Sequence, residues 1–332
     1  MGSERIEARH KPGYNPSMSP VLEATPAPQT RFAIERPSYR IVPHPHHARM
    51  YHIELQPQSV RAFLAATAEL DVQRLEYVPF MRFIVARQLE AALDADFGPA
   101  LRAILRDRAS GGFTVGVAGT TTLDADYVKF GTAVAHLVGA ANFDSMSGTY
   151  FARFLVKDTD DSDSYLRQAY RSLTLHTDGT FVEQSTDWLL MMKFTERNAT
   201  GGESRLLHLD DWSEFEAFST QPLGSHEFTY KSPPSKRTEQ IVKRRTFFQK
   251  DGATCVCFID QFAYPETIAQ ATYLHDFSNS IESSPATIEL PLPPGDLVML
   301  NNLFWMHGRA AFHKHPELHR ELMRQRGVFA PR

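Results

Sequence analysis

Apolar residues recur at two different spacings along the 332 residues of this chain, and the change of spacing divides it. Between Pro57 and about Asn142 they return every three or four positions. Val60, Phe63, Leu64 and Ala68 form one stripe. Val78, Phe80, Met81, Phe83, Ile84, Val85 and Leu89 form a denser one, and Val128, Phe130, Val134, Leu137 and Val138 a third. A period near 3.6 predicts amphipathic helices whose stripes face a core. Thr122 ahead of Asp124 and Asp126 suits the start of the third helix, because acids favour the positive N-terminal end of the dipole. After Ser147 the apolar runs shorten to strand length and are bounded by Gly, Pro, Asp and Asn. They cover residues 150–156, 188–194, 205–209, 255–259, 287–290, 297–300 and 322–329, and many are rich in β-branched or aromatic residues. Two helices, over 210–219 and 266–282, are expected to interrupt them.

Helices followed by many strands predict an α+β chain, a β-sandwich or barrel wrapped by helices and fused into one domain over residues 36–332. Residues 1–35 are rich in Pro, Ser and charge without periodicity, and read as a mobile tail. His44, His46 and His47 sit among two prolines, which scatter side chains, so they read as a solvated loop rather than a metal cluster.

Composition narrows the function. Lys+Arg total 35 and Asp+Glu 39, so the net charge is −4 and there is no basic excess to hold a nucleic acid or an anionic membrane. No apolar run approaches the ~20 residues of a membrane span. The polar, Pro-rich N-terminus has no apolar h-region, so no secretory signal is expected. The 2 Cys, Cys255 and Cys257, would share one strand face, where neighbours seldom bridge; a reducing cytoplasm fits.

The first chemical candidate is His176-Thr177-Asp178-Gly179. A strand ends near His176, and residues two apart on extended chain project to one side, so His176 and Asp178 can reach one ion. Downstream, an apolar strand delivers His307 beside Gly308. His176, Asp178 and His307 would complete a two-His, one-carboxylate facial triad, which leaves three positions open on Fe(II) for O2 and a chelating cosubstrate. The H-x-[DE] pattern alone is weak. It occurs five times, at His52/Glu54, His176/Asp178, His208/Asp210, His315/Glu317 and His319/Glu321, where chance gives about one or two. His208/Asp210 is the serious competitor, since it too ends an apolar strand, although Asp210 there has a sufficient job opening a helix as a cap.

Arg320, Arg324 and Arg326 share one face if their segment is a strand. Arginine is suited to a two-pronged grip on carboxylates, and three of them near a metal would repel unless anions lay among them. A basic edge strand that blunts aggregation is an equal reading. Arg309 is a fourth candidate, for an anion or a structural ion pair. In Gly201-Gly202-Glu203-Ser204 the glycines make a turn and Ser204 offers a hydroxyl.

Together these residues resemble the Fe(II)/2-oxoglutarate-dependent oxygenases. More specifically, the chain is similar to the bacterial glutarate 2-hydroxylases, the carbon-starvation-induced family. The resemblance runs from about residue 50 to 329. It is carried by TAVAHLVG (132–139), NFDSMSG (142–148), DSDSYLRQ (161–168), LLMMK (189–193), LHLDDW (207–212), NNLFWMHGR (301–309) and RELMRQRG (320–327). It implies a double-stranded β-helix (jelly-roll) core over 147–330 with a helix-rich part over 57–142. It implies Fe(II) on His176, Asp178 and His307, with 2-oxoglutarate and O2 consumed. Arg320, Arg324 and Ser204 match the cosubstrate positions, leaving Arg326 and Arg309 for the substrate dicarboxylate. A cytoplasmic homotetramer acting in lysine degradation by way of glutarate is also implied. Residues 169–174, which depart from the family pattern, are expected to border the pocket. The same chemistry on another carboxylate or amino acid, and a jelly-roll protein that senses a dicarboxylate without turnover, remain as alternatives.

Overall fold

The computed structural model describes residues 30–158, 169–232 and 239–331. The stretch 161–168 and most of the expected tail lie outside the described residues. Strands β1 (Ile34–Glu35), β2 (Tyr39–Pro43) and β3 (Tyr51–Leu55) come first. Helices α1 (Pro57–Ala66), α2 (Val72–Tyr77), α3 (Phe80–Leu93) and α4 (Phe97–Arg106) follow, then β4 (Gly112–Gly116), α5 (Asp124–Val138) and β5 (Gly139–Ala141). The second half runs β6 (Ala152–Lys157), β7 (Leu173–His176), β8 (Trp188–Arg197), β9 (Ser204–His208), α6 (Phe215–Ser219), β10 (Glu227–Lys231), β11 (Ile241–Arg245), β12 (Phe247–Lys250) and β13 (Ala253–Val256). It ends with β14 (Ala263–Tyr264), α7 (Ile268–Glu282), β15 (Ile288–Leu290), β16 (Asp296–Asn301), β17 (Trp305–Arg309) and β18 (His319–Phe329). Helices and many strands are thus mixed as expected. Ile34 and Glu35, expected to lie in the tail, instead form β1 and pair with β2.

Among the described residues the largest sheet has 9 strands in the order β1-β2-β3-β4-β16-β8-β18-β5, with β6 also paired to β18. A second sheet of 4 strands runs β15-β9-β17-β7. The period of two in β8, β16 and β18 sorts side chains onto the two faces of the large sheet. Leu190, Met192, Leu297, Met299 and Met323 face a core completed by Phe63, Phe97, Leu101, Phe130 and Val134 from the helices. Val298 and Leu300 face a second core built around Trp212, Phe247, Phe258 and Phe277. Burying each such side chain contributes about 1.5–3 kcal/mol, so two covered faces explain why β8 and β16 are apolar along nearly their whole length. On β18 the even positions Arg320, Leu322, Arg324 and Arg326 point away from the helices, into a cavity between the two sheets.

Local chemistry explains where the expected elements change. The dense stripe from Val78 to Leu89 is interrupted: Pro79 has no N–H and forces Val78 out of the helical region (φ −121°, ψ 89°), so α2 stops and α3 begins anew. Phe80 and Phe83 are consequently exposed rather than core, and Val85, Ala86, Leu89 and Leu93 make the buried face. Strands β4 and β5 break the stretch expected to be helical, and β2 and β3 flank the His-rich loop. The helix expected over 210–219 is a 3-10 turn at Leu209–Asp211 followed by the short α6. The 266–282 helix is α7, opened by Thr267 Oγ1 accepting the Gln270 N–H. Strand β13 covers only the start of 255–259. Its Cys255 and the following Cys257 are both free thiols, raised in pKa by burial and therefore protonated at neutral pH.

Candidate metal centre

Strands β7 and β17 are antiparallel neighbours, and their register sets His176 opposite His307. The two imidazoles meet with ring centroids 4.2 Å apart. The backbone oxygen of Thr174 accepts a hydrogen bond from His176 Nδ1 at 2.7 Å, which leaves Nε2 as the free lone pair, 4.0 Å from Asp178 Oδ1. Asp178 lies beyond the end of β7, where the chain turns sharply. Gly179 has φ +79°, and a Cβ there would meet Thr186 Oγ1 at 2.2 Å, so the turn admits only glycine. Among the described residues this is the one group of three or more His, Cys, Asp or Glu donors whose ligand atoms lie within 4.8 Å of one another.

The charge state suits a cation. Burial alone would raise the Asp178 carboxyl, but the neighbouring positive charges, Arg324 foremost with Arg326 beside it, outweigh it and hold the group below the usual carboxylate range. His307 is pushed down to about 3, by burial first and by the neighbouring His176 second, so it is a neutral ligand. Asp178 Oδ2 is buried without an aligned hydrogen-bond donor among the described residues. Arg324 Nη1 approaches it at 3.1 Å but donates to Oδ1, at 3.3 Å. Two imidazole nitrogens and an ionised carboxylate with a spare oxygen fit a divalent transition metal.

Five arginines line the same cavity of about 350 Å³, large enough for small acids. Arg153 is held by Asp124 and Glu321; the other four fall into two groups. Arg309 and Arg320 flank the Phe312 ring, at 5.1 and 5.5 Å from its centroid, and Ser204 on β9 pairs across from Arg309 on β17. Arg324 and Arg326 flank a carboxylate that sequence reasoning left unassigned, Asp144. Arg324 Nη2 donates to Asp144 Oδ2 at 2.7 Å, and Arg326 Nη2 lies 4.0 Å from the same oxygen. The Nε atoms of Arg324 and Arg326 are buried with no hydrogen-bond partner among the described residues, whereas Arg320 Nε has only a 3.6 Å ion pair with Glu196. Orphaned charged donors are costly in a protein interior, and a carboxylate ligand supplies the missing acceptors. The walls between are apolar, with Phe154, Met191 and Leu322 among them, and of the segment 169–174 only Leu173 reaches the lining.

Behind Arg320, Glu196 holds the cation through a 3.6 Å ion pair while accepting a 2.7 Å hydrogen bond from Lys193. The Gly201-Gly202 turn supports Phe312. Gly202 has φ +75°, and a Cβ would fall 2.0 Å from that ring. Gly202→Ala should therefore lower the melting temperature of the metal-free protein, by about 1–3 kcal/mol of stability. Thermal unfolding would check this.

The other four H-x-[DE] pairs have structural work. His208 Nδ1 accepts the Asp210 N–H and caps the 3-10 turn itself, while Asp210 binds Arg108 rather than capping. Glu54 pairs with Arg40, and Glu321 with Arg153. His315 Nδ1 accepts the Glu317 N–H. His44 spends Nδ1 on the His46 N–H, and His52 Nδ1 bonds Thr114 Oγ1, so the His-rich segment makes no comparable centre.

Comparison with known proteins agrees with this geometry. The family model described as CsiD matches residues 39–329. The chain is 42% identical over 312 residues to a glutarate 2-hydroxylase from Klebsiella pneumoniae (strain 342), covering 93% of this chain and 95% of the relative. It is 43% identical over 285 residues to one from Citrobacter koseri (strain ATCC BAA-895 / CDC 4225-83 / SGSC4696), covering 85% and 88%. Among solved structures it is similar in fold to an asparagine oxygenase, AsnO (TM-score 0.68, 14% identity, 85% of this chain and 93% of that one). It is also similar to the non-heme iron oxygenase OrfP in complex with Fe and alpha-ketoglutaric acid (TM-score 0.59, 15% identity, 84% and 94%). With a family model spanning most of its length and relatives above 40% identity across nearly all of it, the chain belongs to the CsiD family.

Proposed function

We propose that this protein is an Fe(II)/2-oxoglutarate-dependent dioxygenase that hydroxylates glutarate at C2. The observation that carries the reading is a largely buried two-His, one-carboxylate cluster opening onto a cavity lined by arginines, among which Arg324 and Arg326 hold buried Nε donors without a hydrogen-bond partner among the described residues. The glutarate 2-hydroxylase relatives supply the substrate. His176, Asp178 and His307 would hold the metal. When bound, Fe(II) with 2-oxoglutarate supplies the oxidising power: one atom of O2 becomes the new hydroxyl, the other enters succinate, and CO2 leaves.

The chain's own residues supply geometry. The two arginine groups favour a division different from the one the resemblance implied. Arg320, with Arg309 and Ser204 beside it, would take the remote carboxylate of 2-oxoglutarate. Arg324 and Arg326 would take a carboxylate of glutarate, steadied by Asp144. A flexible five-carbon acid held at its end presents one methylene to the metal, and a misplacement of about 1 Å can cost ~100-fold in rate. The apolar walls exclude water from that methylene.

The reading extends to a distorted jelly-roll core whose two faces are the large sheet and the four-stranded sheet, and to residues 36–332 as one oxygenase domain. Cytoplasmic residence, a homotetramer and a place in lysine breakdown belong to the same proposal. Among the described residues no helix is long and apolar enough to cross a membrane.

The test mixes purified protein, Fe(II), 2-oxoglutarate and glutarate, with and without air. We expect 2-hydroxyglutarate and succinate in equal amounts, in air only. Succinate formation that does not respond to glutarate would overturn the substrate. Asp144, a carboxylate at the cavity wall, favours as second reading a substrate that also bears an amino group; a panel of amino acids scored by succinate release separates the two.

A further inference from the structure

The strand ladder explains only part of the candidate triad. His176 and His307 are cross-strand partners on β7 and β17, so sheet hydrogen bonding sets their separation. Asp178 lies past the end of β7, in the turn closed by Gly179, where the ladder no longer holds the backbone. A single side chain takes over. Asn302, in the turn between β16 and β17, accepts the Asp178 N–H at Oδ1 (2.8 Å) and donates from Nδ2 to the Asp178 carbonyl oxygen (3.0 Å). The same Nδ2 donates to the Thr186 carbonyl oxygen at 2.8 Å, and the Asn302 N–H donates to the Asp187 carbonyl oxygen at 2.9 Å. Asn302 is 4% exposed and does not line the arginine cavity.

A carboxamide bonded to both the N–H and the C=O of one residue imitates a rung of sheet. It ties the turn that leads into the His307 strand to the turn that carries Asp178. We infer that Asn302 is a positioning residue for the metal centre, setting the Asp178 backbone and through it the reach from carboxylate to imidazoles. This rests on His176, Asp178 and His307 being metal ligands. A shorter or non-amide side chain would leave the part-buried N–H and C=O of Asp178 without this partner and the carboxylate free to drift. Outer partners of metal ligands typically carry ~10–100-fold in metal affinity.

The neighbouring Asn301 provides the control. It is equally buried and also makes two amide bonds, donating to the Leu105 carbonyl oxygen (2.9 Å) and accepting the Leu303 N–H (2.9 Å), but it does not touch Asp178. Co(II) would be titrated into wild type, Asn302→Ala and Asn301→Ala, reading affinity and the visible spectrum, with thermal unfolding of each metal-free protein alongside. Both variants should lose stability. Only Asn302→Ala should bind Co(II) about 10–100-fold more weakly with an altered spectrum. Wild-type affinity and spectrum in Asn302→Ala, or an equal loss in Asn301→Ala, would overturn the inference. If Asn302→Ala does not fold, Asn302→Asp, which keeps the acceptor and loses the donor, takes its place: affinity below that of Asn301→Ala supports the role, equal affinity refutes it. Wild-type protein that takes up no Co(II) would instead sink the metal reading, and the positioning role with it.

Discussion

His176→Ala should reduce succinate formation by about 10³-fold or more, because it removes one of three donors from a centre on which the chemistry depends. The reason lies in the geometry of the remaining pair. His307 and Asp178 come from separate segments, and without the imidazole between β7 and the turn at Gly179 two donors alone face the ion. The fold should survive. His176 stands at the end of β7, and its Nδ1 serves one backbone oxygen, that of Thr174. The expected outcome is therefore a protein with unchanged circular dichroism, no bound iron and no turnover. A variant that retained both stoichiometric iron and wild-type rate would remove His176 from the centre.

Arg320→Ala should raise the KM for 2-oxoglutarate on the order of 100-fold with a much smaller change in the KM for glutarate. Truncating one partner of a buried, charge-assisted pair costs about 2–5 kcal/mol, largely because the other charge is left unsatisfied. Arg320 is 3% exposed, and burial lowers its pKa to about 10, still well above neutral, so it stays charged at working pH. Glu196 keeps Lys193 as a partner after the substitution, which limits the structural damage. Arg324→Ala should show the opposite pattern, raising the KM for glutarate. Initial-rate kinetics with each acid varied in turn decides the division. Equal effects of both variants on both acids would return the arginines to a shared role.

Much of the site is legible in local spacing. His176 and Asp178 share a side because extended chain has a period of two, and the even positions of β18 share a face for the same reason. What is not legible depends on residues far apart in the chain. Asp144 meets Arg324 across 180 positions, and Asn302 meets Asp178 across 124. Both occur in stretches that carry the family resemblance, but a lone Asp or Asn has no period or motif to announce it. The fold shows the same limit. The third helical stripe becomes α5, yet β2, β3 and β4 are too short to register as alternation, and they become strands because the large sheet offers them a partner. The break between α2 and α3 is readable from Pro79 alone, and the apolar count around it hides it.

One feature of the cavity bears on the order in which it fills. Arg324 touches Asp178 with one arm and Asp144 with the other, and Arg326 stands next to them, so that corner carries two positive and two negative charges. A divalent cation tips this balance by two units toward positive, and an incoming dianion restores it. Each guest thus makes the other more welcome, a reciprocal thermodynamic coupling. Raising the iron concentration should shift the glutarate binding curve to lower acid, and saturating acid should slow the escape of iron by the same free energy.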